Sequence, residues 1–313
     1  MTQAPLTIEI ERDDGLGNEN PRLVADGSRW RVAVGGLEGF GGVTYEVSTQ
    51  PYAQYDGSLL QRERTPEQDR TIVLAARFNA AEARDEAMAF FIPHREYTVR
   101  CTLLGRTRHF SGRQYAMSVE LGSLSLPTTV TWTCLSPQPF WLSEDEHGYD
   151  IAEAQGRRGF PFVSLVDRVA PEPEAKAARS AAPRHVAGFV VGVVSHATRL
   201  VNGGHVPTYP RFTVSASGNV KNPSVRVVGP DGSTALDVTV LVDLVAGDEL
   251  VLDFESRPTA IELNGENVSH LVRPGSTLAA SIGVGRYDVE WSAESGDASM
   301  RVVPSIRERY TGI

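Results

Sequence analysis

The stretch VGGLEGFGGVTYEV, Val34 to Val47, sets five glycines around one acid and then turns into a strand pattern in which Val43, Tyr45 and Val47 share a face. A glycine run of this kind either wraps a phosphate or turns the chain between strands. A dinucleotide-binding loop needs G-x-G-x-x-G after a strand and before a helix, whose N-terminus supplies the amides and the dipole that hold the anion. Here Gly36, Gly39 and Gly41 follow the order G-x-x-G-x-G, and the pattern VTYEV comes next instead of a helix. Neither Lys176 nor Lys221 follows a glycine, so a P-loop fails as well. The segment reads as a tight strand-to-strand connection.

Outward from this stretch, period-two alternation dominates. Leu6, Ile8 and Ile10 share a face, as do Trp30, Val32 and Val34, and TIVLAARF (Thr71 to Phe78) reads as a more fully buried strand. The later half repeats the pattern in PRFTVSAS, PSVRVV, ALDVTVLVDL, ELVLDF, AIELNG, RYDVEWSA and SMRVV, each bounded by Gly, Pro, Asn or Asp. Short strands at this spacing predict sandwiches or barrels in place of a parallel sheet with crossover helices. One helix is expected over about 80–92. Asn79 caps it, Glu82 stands where a capping box wants its acid, Ala83, Ala87, Phe90 and Phe91 form its apolar stripe, and Pro93 stops it.

A chain of 313 residues with 41% hydrophobic and 22% charged residues reads as a globular protein of about two domains. The composition shifts between Ser143 and Val186, where PEPEAKAARSAAP (Pro171 to Pro183) carries no alternation and has prolines at both ends. The expected division is 1–144 and 145–313, with an arm or loop over about 157–186. A net charge of −9 and a pI near 5.3 argue against a phosphate-tracking surface, because such surfaces need clustered cations. The opening MTQAPLTIEIERDDG passes straight into alternation, so no signal peptide is expected. The longest apolar run, VAGFVVGVV (Val186 to Val194), is too short to cross a bilayer, which takes roughly 20 residues.

No reactive constellation stands out. Cys101 and Cys134 lack C-x-x-C spacing and lie on apolar strand faces, so both are expected to be buried thiols. His185, His196 and His205 are spaced too loosely to meet one metal from a single element, and no serine sits in G-x-S-x-G. The acid clusters Asp13-Asp14 and Glu144-Asp145-Glu146 fall on polar loops. No cofactor and no metal is expected. Trp291 and Glu294 share the W-x-x-E spacing that galectins use for a sugar ring, which makes them the candidate carbohydrate contact. Val289 and Trp291 also share a strand face, however, so a core role explains the indole equally and is favoured.

The order of features carries more than any single motif. A W-x-V-x-V strand leads into GLEGFGG; the Asp56-Gly57 turn follows, then Arg64 and Arg70, the helix, and the CLSPQPF segment from Cys134 to Phe140. Downstream come Asn202 to Phe212, the Asn222-Pro223 pair, a DGSTALDVTVLVDLVAGDELVLDF hairpin containing Gly247 to Asp253, and the Pro274-Gly275 turn. This ordered set resembles the siphophage distal tail protein family over most of the chain outside 145–200, where the long middle segment departs from compact members.

The resemblance implies a mainly β fold. The first domain would be a ring-forming sandwich with a flanking helix, like the tail tube subunit, and the second a galectin-like sandwich. It implies a structural virion protein and not an enzyme, made in the host cytoplasm and placed at the distal end of the tail. A homo-oligomeric, hexameric ring would join the tail tube to the tip. Its implied partners are the tail tube protein, the tape-measure protein, and tail-tip, lysin or receptor-binding proteins, with no specific nucleic-acid binding and no membrane span. Tyr52, Tyr55, Asp56, Arg64 and Arg70 become the candidate inter-subunit residues. A carbohydrate-binding adhesin module of a tail is the alternative, and a tail glycosidase the third reading.

Overall fold

The computed structural model describes residues 6–15, 20–53, 55–120, 128–148, 196–256 and 258–313. The arm expected at 157–186 therefore lies outside the described residues, as does His185. The first half runs β1 (Thr7–Asp13), β2 (Arg22–Ala25), β3 (Trp30–Glu38), β4 (Glu46–Pro51), β5 (Ser58–Arg64), β6 (Gln68–Ala76), α1 (Ala80–Phe90), β7 (Glu96–Leu103), β8 (Arg106–Val119), β9 (Thr129–Ser136) and β10 (Trp141–Ser143). The second half continues with β11 (His147–Gly148), β12 (His196–Asn202), β13 (Pro210–Ala216), β14 (Val220–Lys221), β15 (Ser224–Val228) and β16 (Thr234–Thr239). It closes with β17 (Asp243–Leu244), β18 (Glu249–Asp253), β19 (Ala260–Leu263), β20 (Glu266–Asn267), β21 (Gly285–Ser292), β22 (Met300–Ile306) and β23 (Arg309–Tyr310). The fold is mainly β, as expected, with one α-helix among the described residues.

In the first half an antiparallel sheet takes the order β2-β1-β7-β8-β9-β6-β3. Laid flat, such a sheet would span about 29 Å from β2 to β3, at ~4.8 Å per strand. Yet residues 26–29 alone join those two edges, and a link of that length reaches at most roughly 17 Å. The sheet must therefore curl until its edges approach. The side chains facing the inside of the curl form the core: Ile8, Ile10, Ile72, Leu74, Val99, Cys101, Phe110, Val130, Trp132 and Cys134 are each at most 1% exposed.

Helix α1 plugs this curl. Asn79 Oδ1 accepts the Ala81 amide at 2.9 Å, and Ala83, Ala87 and Phe90 face inward. Phe91, just past the helix, meets the Trp132 ring at 5.2 Å between centroids, and Tyr97 meets it at 5.3 Å. The Tyr97 hydroxyl finishes the helix end, accepting from the Ile92 amide at 2.7 Å. Glu82 does not close a capping box; its carboxylate faces Arg29 at 3.3 Å across the turn before β3.

Two sequence expectations are corrected here. Val34 does not follow Trp30 inward, because the β3–β6 register shifts between Val32 and Leu37 and Val34 bulges out fully exposed. Gly35, at φ +70°, provides the left-handed step that this bulge requires. Nor do Val43, Tyr45 and Val47 line a core-facing strand. Strand β4 starts at Glu46, pairs with β5 alone, and is exposed along its whole length.

The second half packs a six-stranded sheet, β11-β22-β13-β18-β19-β20, with a four-stranded sheet, β12-β21-β15-β16. Phe212, Val214, Leu250, Leu252 and Val302 from the first share one buried cluster with Val225, Val227, Leu236, Val238, Val289 and Trp291 from the second. The run from Asp231 to Phe254, read as one hairpin, is divided between the sheets: β16 pairs β15, whereas β18 pairs β13 and β19. Both strands alternate correctly, and alternation alone does not identify a strand's partner.

Among the described residues the chain passes between the two sheet systems twice. Strand β10 belongs to the first sheet and β11 to the six-stranded sheet; β22 belongs to the latter and β23 returns to pair β10.

Gly39 sits at φ +75°, and a Cβ there would come 2.4 Å from the Asp69 carbonyl oxygen, whereas a Cβ at Gly42 would meet nothing within 4 Å. A Gly39→Ala variant is expected to lose about 1–3 kcal/mol of unfolding free energy. Gly42→Ala should stay within ~0.5 kcal/mol of the parent. Urea denaturation of the two variants checks the difference.

Candidate assembly surface

Strand β3 pairs directly with β6, from Trp30↔Ala76 to Glu38↔Thr71, so the chain between them has no place in the sheet. It leaves as the β4–β5 ribbon, paired from Glu46↔Arg64 to Pro51↔Ser58 with a register shift at Ser48/Thr49. Gln68, only 5% exposed, holds the root of this ribbon together. Its Oε1 accepts from the Thr44 amide at 3.0 Å and its Nε2 donates to the Pro66 carbonyl at 3.0 Å, so one side chain grips both legs. Sequence reading missed Gln68, because it sits in a polar run where nothing marks a buried amide.

Every residue of both strands is exposed, yet the ribbon carries Val47 at 57%, Leu59 at 52% and Leu60 at 56% exposure. Tyr52 and Tyr55 stand out from its tip, next to Asp56 and the Gly57 turn. Arg64 and Glu46 pair at the base, and the Arg64 guanidinium, as hydrogen-bond partner, holds the Glu46 carboxyl below the ordinary range. The structure thus brings Tyr52, Tyr55, Asp56 and Arg64 together on one projection.

Arg70 is not part of that projection. It is fully buried, with its guanidinium 4.2 Å from the Phe110 ring and 5.0 Å from Trp141, donating to the Pro139 carbonyl at 2.6 Å. Desolvation pulls its pKa down to about 10, so it stays charged at neutral pH, held by ring faces and a carbonyl. Arg70 is the third residue of β6 and alternation turns its side chain inward with Gln68 and Ile72, so Arg70 acts within the subunit.

The glycine segment lines a cleft of about 490 Å³ with Thr44, Glu67, Gln68 and Asp69. Its side-chain charges are carboxylates, which repel a phosphate, and this agrees with the reading as a connection. Trp291 is 6% exposed inside the second core, so its indole offers no sugar platform. Glu294 is exposed, accepts from Asn222 Nδ2 and pairs with Lys221 Nζ at 3.2 Å, which ties down the turn at Lys221–Asn222. The carbohydrate contact expected at Trp291 and Glu294 is therefore not assembled.

Other polar groups are committed to structure. Asp14 pairs with Arg12 at 2.6 Å, and Glu144 with Arg100 at 3.0 Å. Among the described residues no cluster of His, Cys, Asp or Glu is arranged to hold a metal ion. Among them, too, no helix is long and apolar enough to cross a membrane.

Residues 203–309 match the family described as the siphovirus-type tail component, C-terminal domain. The fold of the whole chain is similar to the Dit protein of phage SPP1, described as a paradigm of the hub adsorption apparatus in phages infecting Gram-positive hosts. The TM-score is 0.61 at 10% identity, covering 96% of this chain and 98% of that one. It is also similar to a chain of the phage P2 baseplate in its activated conformation with calcium, with TM-score 0.54, 7% identity, and 99% and 100% coverage. No curated protein sequence matches the chain. Residues 203–309 thus match that tail-component family, and the chain has a fold similar to those two phage proteins.

Burial pushes the thiol pKa up to about 11 for Cys101 and about 12 for Cys134. Both thiols should resist iodoacetamide in the native protein at pH 8 and react fully once it is unfolded in urea, as mass spectrometry would record. Because the raised values favour the protonated thiol in the fold, both thiols also make stability fall as pH rises above the ordinary thiol value of 9.0.

Proposed function

We propose that this chain is the distal tail protein of a siphovirus-type phage, a structural component that closes into a ring between the tail tube and the tail tip. The observation that carries the proposal is the β4–β5 ribbon. A lone two-stranded ribbon is marginal in water, and this one displays Val47, Leu59, Leu60, Tyr52 and Tyr55 without covering any of them. A neighbouring copy of the chain is the natural cover. A projection on one subunit that docks on a different face of the next is a heterologous contact, and such contacts generate rings when the rotation closes.

The remaining assignments follow from this role. The first domain, 1–144, forms a hexameric ring. The second, 145–313, is a galectin-like sandwich that projects outward and carries tip, lysin or receptor-binding proteins. The acidic balance of −9 suits a ring whose lumen passes a nucleic acid, since like charge keeps phosphates from sticking. The partners are other tail proteins, including the tube and tape-measure proteins. The role is mechanical and involves no reaction.

A Leu59→Glu, Leu60→Glu double variant tests the proposal. Both residues are half exposed, so thermal unfolding of the monomer should be unchanged, while ring formation falls at least ~100-fold in concentration dependence, as expected when several apolar contacts of 1–3 kcal/mol are lost. Mass photometry and negative-stain imaging supply the readout. Rings that form equally well in the variant would refute the ribbon as the inter-subunit contact.

A further inference from the structure

We propose that residues 309–313 act as a clasp through which the seating of the second-half sandwich controls the glycine loop 39–44 and hence the root of the β4–β5 ribbon. The inference concerns the single chain and does not depend on ring formation. It starts from the double passage between the sheet systems. The two passages run side by side as one antiparallel ribbon, with Trp141↔Tyr310 and Leu142↔Arg309 on one side of the joint and His147↔Ile306 on the other. Between these pairs, residues 143–146 face residues 307–308, so the joint is a bulge in a continuous ribbon. The Ser143 amide donates to the Glu308 carbonyl within it at 3.0 Å.

Residues 309–313 are gripped from both halves. From the second half, the His205 amide donates to the Arg309 carbonyl at 2.8 Å. The His205 ring meets Tyr310 edge-on at 5.0 Å, and its Nδ1 lies 3.2 Å from Thr311 Oγ1. From the first half, the Arg108 guanidinium lies 3.7 Å from the Tyr310 ring and donates to the Gly312 carbonyl.

The segment in turn holds the glycine loop. The Ile313 amide donates to the Phe40 carbonyl at 3.3 Å, and a Cβ on Gly312 would lie 3.2 Å from that same oxygen. Phe40 is buried against Trp141 at 5.2 Å, and Trp141 belongs to β10, the strand that β23 pairs. The loop is thus fixed at three points: Gly39 against Asp69, Phe40 by Ile313, and Thr44 by Gln68. Shifting the second half drags residues 309–313 and withdraws the middle support, which leaves the loop between Gly39 and Thr44 held at its two ends only. A load on the outer sandwich is in this way transmitted to the projecting ribbon.

Amide hydrogen exchange, followed by NMR on the full chain at a concentration where it is monomeric, tests the coupling. The reporters are the Ile313 and Thr44 amides, compared in the parent, in His205→Ala and in Tyr310→Ala. His205 is exposed and lies outside the first half, so His205→Ala is expected to fold even if Tyr310→Ala does not. The expected result is acceleration of both amides together, by about tenfold, while Val130 and Trp132 in β9 stay unchanged. Acceleration of Ile313 alone would show a local tether and overturn the proposal, as would no change at either amide.

Discussion

The direct pairing of β3 with β6 governs the first half of the molecule. Once Trp30↔Ala76 and Glu38↔Thr71 are neighbours, the residues between them are excluded from the sheet, whatever their own strand propensity. Tyr45 and Val47 then have no core to face and are carried outward, while Val43 stays half-buried at the glycine loop. Exclusion also sets the demands on the loop that leaves the sheet. It must reverse within a few residues beside Asp69, which accounts for the left-handed Gly39 and its close approach to the Asp69 carbonyl. A single buried amide, Gln68, then suffices to hold the two legs, because the β3–β6 ladder has already brought them together.

Beneath that root lies the least ordinary part of the core. Arg70 places a charge among Phe110 and Trp141, with Phe40 packed on both rings at 6.0 Å and 5.2 Å. Desolvating a guanidinium is costly, and ring faces with one carbonyl recover only part of that cost. The arrangement does join four separate stretches of chain, those at residues 40, 70, 110 and 139–141. All four meet where β23 returns from the second half. An apolar side chain could fill the volume, but it could not donate to the Pro139 carbonyl and so would leave the segment leading into β10 less firmly placed.

Much of this was legible in the sequence, and the failures share one cause. Burial along β1, β7, β9, β13 and β22 follows directly from alternation, as does the inward stripe of α1, because those patterns report which face is apolar. What alternation does not report is the identity of the body that covers the face. The same period-two signal appears at Val43 to Val47, where Tyr45 and Val47 are left exposed among the described residues, and in β16 and β18, which lie in different sheets. Partner identity depends on contacts distant in sequence. The candidate contact residues separate on the same principle: Tyr52, Tyr55, Asp56 and Arg64 lie on the excluded segment, whereas Arg70 lies on the strand that does the excluding. Gln68 and the return of β23 left no trace in the pattern, since an isolated buried amide and a two-residue strand have no period.

The two halves differ in whether they gather exposed apolar side chains, and this asymmetry bears on assembly. In the second half two sheets cover each other, and the exposed large hydrophobics, Leu241, Val245, Leu278 and Val284, are scattered through loops and strand ends. In the first half Val24, Val34, Met88, Ile92, Leu104 and Tyr115 are scattered in the same way, but Tyr45, Val47, Tyr52, Tyr55, Leu59 and Leu60 are gathered on one projecting segment. Scattered apolar residues are the ordinary condition of a protein surface, whereas a gathered set has a cost in water that only a partner removes. In the proposed ring, a sandwich that covers itself suits the outside. In the same proposal a curled sheet that exports a ribbon binds its neighbour, and β23, paired with β10, joins the two halves of the chain.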